Sequence, residues 1–270
     1  MDILALSPTY GRIERSVQYA GELAAQTNAS ISGLYVSEPL PVVATPMAIP
    51  EFYTLAADLA QAAIEAEPMF QKWAHGLGIV HSRWIVAQGY LNNTLAQLSS
   101  QHDLLVLESG EGVVWGSSGV IGKIALTSGL PCLIVPQNFG AKAVIETVAL
   151  AWNGSSEAMR AIHAALPLIK RAKKVLLIHG EREPPFTSVL WRPTLTLENY
   201  LAIHEVEFER QYFDATGETA GRSLLEVAQK AHADLLVMGA YGHTRFSEWM
   251  LGGATLYVLD HARLPIFLRH

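Results

Sequence analysis

Between Met238 and Thr255 the chain reads MGAYGHTRFSEWMLGGAT, with glycines at 239, 242, 252 and 253. Glycine tolerates positive φ and lets a ligand approach the backbone with no Cβ in the way. A glycine loop that ends at a helix N-terminus collects unpaired N–H groups and the positive end of the helix dipole. Such a loop can cradle a phosphate or another anion. His243, Thr244 and Arg245 lie inside the loop as further donors. Covalent or metal-assisted chemistry leaves no comparable trace. H-E-x-x-H, paired C-x-x-C and G-x-S-x-G are all absent from the chain, and its ten histidines show no metal-ligand spacing. No catalytic residue and no metal ligand is therefore assigned. His179 closes the apolar run VLLIH beside the proposed cradle, where it either packs or touches a ligand. His163 and His232 read as surface or boundary residues, and His261 suits the negative end of a helix.

A loop of this kind must hang between a strand and a helix at the open edge of a parallel sheet, where ligands bind outside the carboxyl ends of the strands. The sequence supplies that frame twice. HDLLVLES at 102–109 answers ADLLVMGA at 233–240, and LPCLIVP at 130–136 answers LPIFLRH at 264–270. Upstream, residues 3–36 and 148–180 each read as strand, turn, amphipathic helix and strand. In the second copy Asn153 or Ser155 can cap the helix, with Glu157 in its first turn. Strands are expected at 2–7, 31–36, 82–86, 104–108 and 132–135, then at 147–152, 174–179, 207–213, 235–239 and 265–268. Further helices are expected over 54–76 and about 195–204. Continuous apolar strands alternating with helices give two tandem doubly wound α/β domains, each with a mainly parallel five-stranded sheet flanked by helices. The expected domains are 1–138 and 144–270, joined near 136–143. The closing strands CLIV and IFLR would be exposed edges, so the halves are expected to pack as an intra-chain pseudo-dimer that covers both. The Pro-rich stretches SEPLPVVATPMAIPEF and EREPPFTSVLWRPTLT read as surface loops, and a homodimer through them is an alternative.

Composition excludes several classes of partner. The 270 residues are 50% apolar and 16% charged, with a net charge of −6 and no basic run, which argues against nucleic-acid binding. The longest uncharged stretch is broken by Gly129, Pro131, Pro136 and Gly140, so it is not a membrane span. The N-terminus has no basic region before its apolar run, and a cytoplasmic location is expected. The one cysteine, Cys132, falls in an apolar run and reads as a buried, inert thiol.

The spacing G-x2-G-x9-G over Gly239, Gly242 and Gly252 resembles the nucleotide-binding signature of the universal stress protein family. The resemblance covers nearly the whole chain as a tandem pair, and is strongest over 146–179 and 217–270. It implies a flavodoxin-like, nucleotide-binding α/β fold in both halves, with adenine nucleotide as the partner and ATP, with or without Mg²⁺, as the cofactor. Carried over residue by residue, the family's glycines fall on Gly239, Gly242 and Gly252 and its first-strand acidic position on Asn153; the site expected around them comprises Trp152, Asn153, His179, Gly239, Gly242, His243, Gly252, Gly253, Ala254 and Thr255. Two positions depart from the family pattern. Gly253 stands where Ser or Thr is usual, and Asn153 stands where the family has Asp at the end of the first strand. The implied function is a regulatory stress-response module that binds ATP and hydrolyses it slowly at most. The alternatives are an interaction or scaffold protein with a vestigial site, and a remote adenine-nucleotide or flavin-binding enzyme.

The first half lacks the glycines. Aligned on DLLV, Gly239 falls against Glu108 and Gly242 against Glu111, and the segment that follows is three residues shorter. Carboxylates repel phosphates and offer no donor. The first half is therefore expected to be a degenerate copy, leaving one nucleotide per chain.

Overall fold

The computed structural model describes residues 1–38, 50–140, 142–180, 196–213, 217–240 and 252–270. Two compact units emerge, Met1–Glu108 with Thr127–Leu130, and Ser109–Leu126 with Pro131–His270.

In the first unit, β1 (Asp2–Leu6) lies between β2 (Ser30–Ser37) and β4 (Leu104–Ser109), and β3 (Ser82–Gln88) extends the sheet beyond β2; all these pairings are parallel. Ile3, Leu4, Ala5 and Leu6 are wholly buried, as are Leu105, Val106 and Leu107. Strands covered on both faces need apolar side chains at consecutive positions, which is why these runs do not alternate. The helices are α1 (Arg15–Thr27), α2 (Pro50–Ile64), α3 (Glu67–Gly76) and α4 (Leu91–Leu98). The single helix expected over 54–76 is thus two. Pro68 falls in the first turn of α3. A proline there has no N–H for the Ile64 carbonyl, so the first helix ends and a second begins.

In the second unit the order is β5 (Cys132–Pro136), β10 (Ile266–Arg269), β9 (Leu235–Gly239), β6 (Thr147–Trp152), β7 (Lys174–His179) and β8 (Glu209–Tyr212). Its strands are parallel except β5, which runs antiparallel to β10 with Ile134 opposite Ile266. The closing strands of the two repeats therefore pair with each other, and β5 packs with the unit that holds the second repeat. Cys132 is wholly buried there. The edge strand β8 is exposed along its length, and its polar sequence ERQY suits that place. The helices are α5 (Ser118–Thr127), α6 (Ser156–Ile169), α7 (Leu197–Ile203), α8 (Gly217–Lys230) and α9 (Gly253–His261). No described helix is long and apolar enough to cross a membrane. Most of both Pro-rich stretches, 39–49 and 181–195, lies outside the described residues.

The repeated DLLV acquires a structural reason. Asp103 Oδ2 accepts the Asp2 N–H at 2.8 Å, tying the start of β1 to the start of β4. Asp234 Oδ2 does the same for β6, accepting the N–H groups of Glu146 at 2.9 Å and Thr147 at 2.8 Å. Replacing Asp234 with Ala should lower stability by about 1.5–3 kcal/mol, toward the lower end because the site is partly exposed. Urea unfolding with an unchanged m-value is the check, and a midpoint equal to wild type would rule the tie out.

Candidate functional site

In the second unit β6 has β7 on one side and β9 on the other, so the loops leaving β6 and β9 diverge at their carboxyl ends. Trp152 pairs with His179 across β6 and β7. Leu150 pairs with Val237, which brings Trp152 and Gly239 level two residues further on. His179 is buried, its ring stacked on Tyr212 with centroids 4.9 Å apart. In the turn after β6, Asn153 Oδ1 accepts the Ser155 N–H at 3.1 Å, and Gly154 takes φ 80°. Ser155 then caps α6, its Oγ accepting the Ala158 N–H at 3.1 Å. Gly252 is the N-cap of α9, Gly253 and Ala254 form its first turn, and Thr255 is buried. Gly242 and His243, with Thr244 and Arg245, lie outside the described residues.

Gly239 has a different reason from the one expected. Its backbone stays out of the left-handed region. A Cβ built on it would lie 2.5 Å from the Ala158 nitrogen and 2.6 Å from the Glu157 carbonyl carbon. The missing side chain makes room for the first turn of α6, and the neighbour brought close is the protein's own backbone. Burial pushes the Glu157 carboxyl up, but bonds from its own N–H and from Ser156, with His270 and Arg160 nearby, hold it below the ordinary carboxylate range. The N-terminus of α6 is thus answered internally by a hydroxyl and a carboxylate.

The same holds at other helix starts. Thr196 caps α7 through the Asn199 N–H at 3.2 Å, with Glu198 in the first turn. Glu38 accepts the Leu91 N–H of α4 at 3.3 Å, and Glu67 opens α3. In α1 the N-cap Glu14 makes no side-chain capping bond, but its carboxylate stands at the helix start. Among the described residues, α9 has neither a side-chain acceptor nor an acid at its opening turn. Among the described residues, a Cβ on Gly252 would have only the Thr255 Oγ1 within reach, at 4.0 Å, so none of them fills the space beside that N-cap. Tight packing fixes α9 in place: a Cβ on Gly221 of α8 would lie 2.8 Å from the Ala254 carbonyl oxygen. His261 closes the helix, its Nδ1 2.9 Å from the Tyr257 carbonyl oxygen.

In the first repeat, the stretch after β4 turns back on itself. Gly110 N–H donates to the Gly116 carbonyl at 3.1 Å, and Gly116 N–H to Val113 at 2.9 Å. Glu111 is exposed, while Glu108 is only 6% exposed. Burial raises the Glu108 carboxyl above the ordinary range, against the Ser16 N–H and the charges of Arg15 and Arg12, with Glu14 adding to the rise. Sequence reasoning took Glu108 and Glu111 as repellents at a phosphate position and as solvated loop carboxylates; Glu111 is exposed as expected, whereas Glu108 is buried at the end of β4, and the bond of Glu38 to α4 was missed. Glu38 and Glu108 sit at strand ends, and that position was the available signal.

Residues 145–268 match the model of the universal stress protein family. The second half is a universal stress protein domain. A universal stress protein of Synechocystis sp. is 24% identical over 186 residues, which is 66% of this chain; the chain covers 61% of that relative's length. The fold of the whole chain is similar to that of a universal stress protein from Archaeoglobus fulgidus, with a TM-score of 0.69 at 16% identity over 99% of this chain and 95% of that one. A functionally unknown protein from Pseudomonas aeruginosa PAO1 gives a TM-score of 0.60 at 14% identity, covering 99% of this chain and 92% of that one. In the universal stress protein domain a separate cavity of about 400 Å³ lies at the opposite edge of the sheet, lined by Lys142, His232, Asp234 and Arg263 among others. Arg263 follows the end of α9, where a cation answers the negative end of the helix dipole.

Two outcomes follow from this geometry. Gly239→Ala forces a Cβ into α6 and should cost about 1–3 kcal/mol of stability in urea unfolding, ligand present or not; unchanged stability would leave ligand approach as the glycine's reason. Because the folded Glu108 pKa is raised, stability associated with its protonated form is full below the unfolded pKa and lost as pH rises through the folded value. Glu108→Gln cannot ionise, so its stability relative to wild type should improve from acid to neutral pH. Parallel stability–pH curves for the two proteins would exclude that linkage.

Proposed function

We propose that the second half binds an adenine nucleotide, ATP with or without Mg²⁺, as a regulatory ligand, with the phosphates on the opening turn of α9. The observation that carries this reading is the opening of α9 on Gly252–Gly253 with no side-chain acceptor and no first-turn acid among the described residues. Orphan N–H groups and the positive end of a helix dipole favour a phosphate there. The place is supported by the switch point between β6 and β9, where ligands of open α/β sheets bind. The G-x2-G-x9-G spacing and the match to the universal stress protein model support the nucleotide as the class of ligand.

Residues divide by role in this reading. Gly252, Gly253, Ala254 and Thr255 hold phosphates, mainly through backbone N–H groups. Trp152, Asn153 and His179, on the neighbouring strand ends, border the nucleoside, and Gly242 and His243 belong to the same site through the sequence motif. Asn153 spends its Oδ1 on the Ser155 N–H, which leaves its amide group as a donor. With no general base assigned, ATP acts as a signal that is hydrolysed slowly at most. The protein then works as a cytoplasmic stress-response module whose two repeats act as a pseudo-dimer, with the boundary between domains near 138–144.

Thermal shift with and without MgATP is the test. Wild type should be stabilised by ligand, and Gly252→Val should lose that stabilisation while keeping its own melting temperature, since none of the described residues fills the space beside Gly252. Gly253→Ser restores a hydroxyl donor and should bind roughly tenfold more tightly or better, the equivalent of about 1.5–3 kcal/mol for a bond to a charged group. A folded wild type with no ligand-induced shift at millimolar MgATP would overturn the proposal.

A further inference from the structure

The cavity where the strands of the second unit begin has no part in the nucleotide reading. Three stretches of chain build it: the connector that carries Phe139, Lys142 and Val144, the turn from α8 into β9, and the turn from α9 into β10. Backbone bonds and buried neighbours fix each of them. Ala143 is wholly buried in the connector, and the Val144 N–H donates to the Lys142 carbonyl at 2.7 Å. The Ala233 N–H closes α8 on the Ala228 carbonyl at 2.9 Å, with His232 in the left-handed region at φ 52°. After α9 the Ala262 N–H bonds the Val258 carbonyl at 2.9 Å, and Leu264 is buried. Lys142 and Arg263 therefore reach the cavity from anchored backbone, although both side chains are exposed.

The protein does not balance the charge it gathers here. Lys142 and Arg263 are permanent cations, and among the described residues neither forms an ion pair. Among the lining residues Asp234 is the one carboxylate, and its Oδ2 already accepts the N–H groups of Glu146 and Thr147. Two cations against one carboxylate leave a positive excess, in a chain whose net charge is −6. The helix ends at this edge present carbonyls, so side chains alone supply that excess. Like charges gathered in one concavity repel one another and focus their field on any anion that enters.

Apolar surface accompanies the charge. Val144 is 46% exposed beside the cations, Phe139 is half-buried, and Leu264 completes the wall. A cavity of about 400 Å³ with apolar walls and a few charged groups has the size and make-up of a small-molecule site. A guanidinium can pair both oxygens of a carboxylate, and an ammonium adds a point charge beside it.

We propose that this cavity binds a small organic carboxylate, its apolar body against Phe139, Val144 and Leu264 and its single negative charge on Arg263 and Lys142. One charge on the ligand matches the excess of one cation over Asp234. A doubly charged phosphate would stand uncompensated beside that carboxylate. The inference is independent of the nucleotide reading, whose site lies at the other ends of the strands.

The test uses the full chain at neutral pH without nucleotide, with benzoate as the probe and backbone amide resonances as the readout. Benzoate should shift the amides of Phe139, Val144, Ala233 and Leu264 saturably and leave those of Gly252 to Thr255 in place. Benzamide keeps the ring without the charge, and inorganic phosphate keeps charge without the ring. Each should bind roughly tenfold more weakly or worse, the scale of a lost bond to a charged group. Arg263→Gln should weaken benzoate by a similar factor, and Val144→Asp, which adds a second carboxylate, should abolish the saturable shift. Both positions are exposed, so amide resonances far from the cavity should stay as in wild type. The absence of a saturable benzoate shift in wild type would overturn the proposal, as would benzamide or phosphate binding as well as benzoate. Undiminished affinity in Arg263→Gln or in Val144→Asp would overturn it too, and the three-probe comparison on wild type decides the matter if a variant does not fold. A failure of MgATP to bind at α9 moves none of these signals.

Discussion

A parallel sheet delivers helix N-termini to its carboxyl edge, and each arrives with backbone N–H groups that its own helix cannot satisfy. How each of those ends is answered organises the rest of this structure. Ser155 and Thr196 answer locally, from the N-cap itself. Glu38 answers from a strand end, bonding the Leu91 N–H of a helix that lies elsewhere in the chain. Among the described residues, the opening turn of α9 starts on Gly252 and Gly253 with no side-chain capping bond and no acid. The candidate site is defined by that contrast, since every helix end compared with it carries a hydroxyl or an acid of the protein's own.

Within each unit, the edge at which the strands begin follows the complementary rule. There the carbonyl ends of the helices gather, and Asp103 and Asp234 instead bond the backbone N–H groups at which the first strand of each repeat begins. Lys142, Arg263 and His232 line the cavity at that edge of the second unit. Polarity is therefore divided by edge. Donors converge where strands end, and acceptors converge where strands begin. Backbone electrostatics alone favour an anionic ligand at the first edge.

Divergence between the repeats turns on few atoms. A side chain at the end of the fourth strand either intrudes on the first helix or leaves it room. Glu108 places a buried carboxyl there, and Gly239 leaves room that the helix fills. The stretch after β4 then bonds to itself, Gly110 to Gly116, which leaves those backbone groups engaged. The pairing of β5 with β10 is a second consequence of duplication. Two similar closing strands, each an open edge in its own repeat, cover each other antiparallel.

Much of this was legible in the residues because it depends on local or periodic properties. The strands at 147–152, 174–179 and 235–239 are found as expected, since continuous apolar runs bounded by polar turns have few other uses. The Ser155 cap of α6 is equally local, a hydroxyl three residues from the N–H it bonds. The break at Pro68 was also present in the residues, and reading 54–76 as one helix overlooked it. Three-dimensional proximity decided the remainder. That Gly239 yields to Ala158, that Glu38 bonds Leu91, and that Gly221 lets α9 sit against α8 are all contacts between segments far apart in the chain. By itself the sequence determined which elements form and that they form twice, because propensity and periodicity act over a few residues. Only the tertiary structure decided which helix ends the protein satisfies for itself and which it leaves open, because that depends on the side chain a distant strand happens to place above each one.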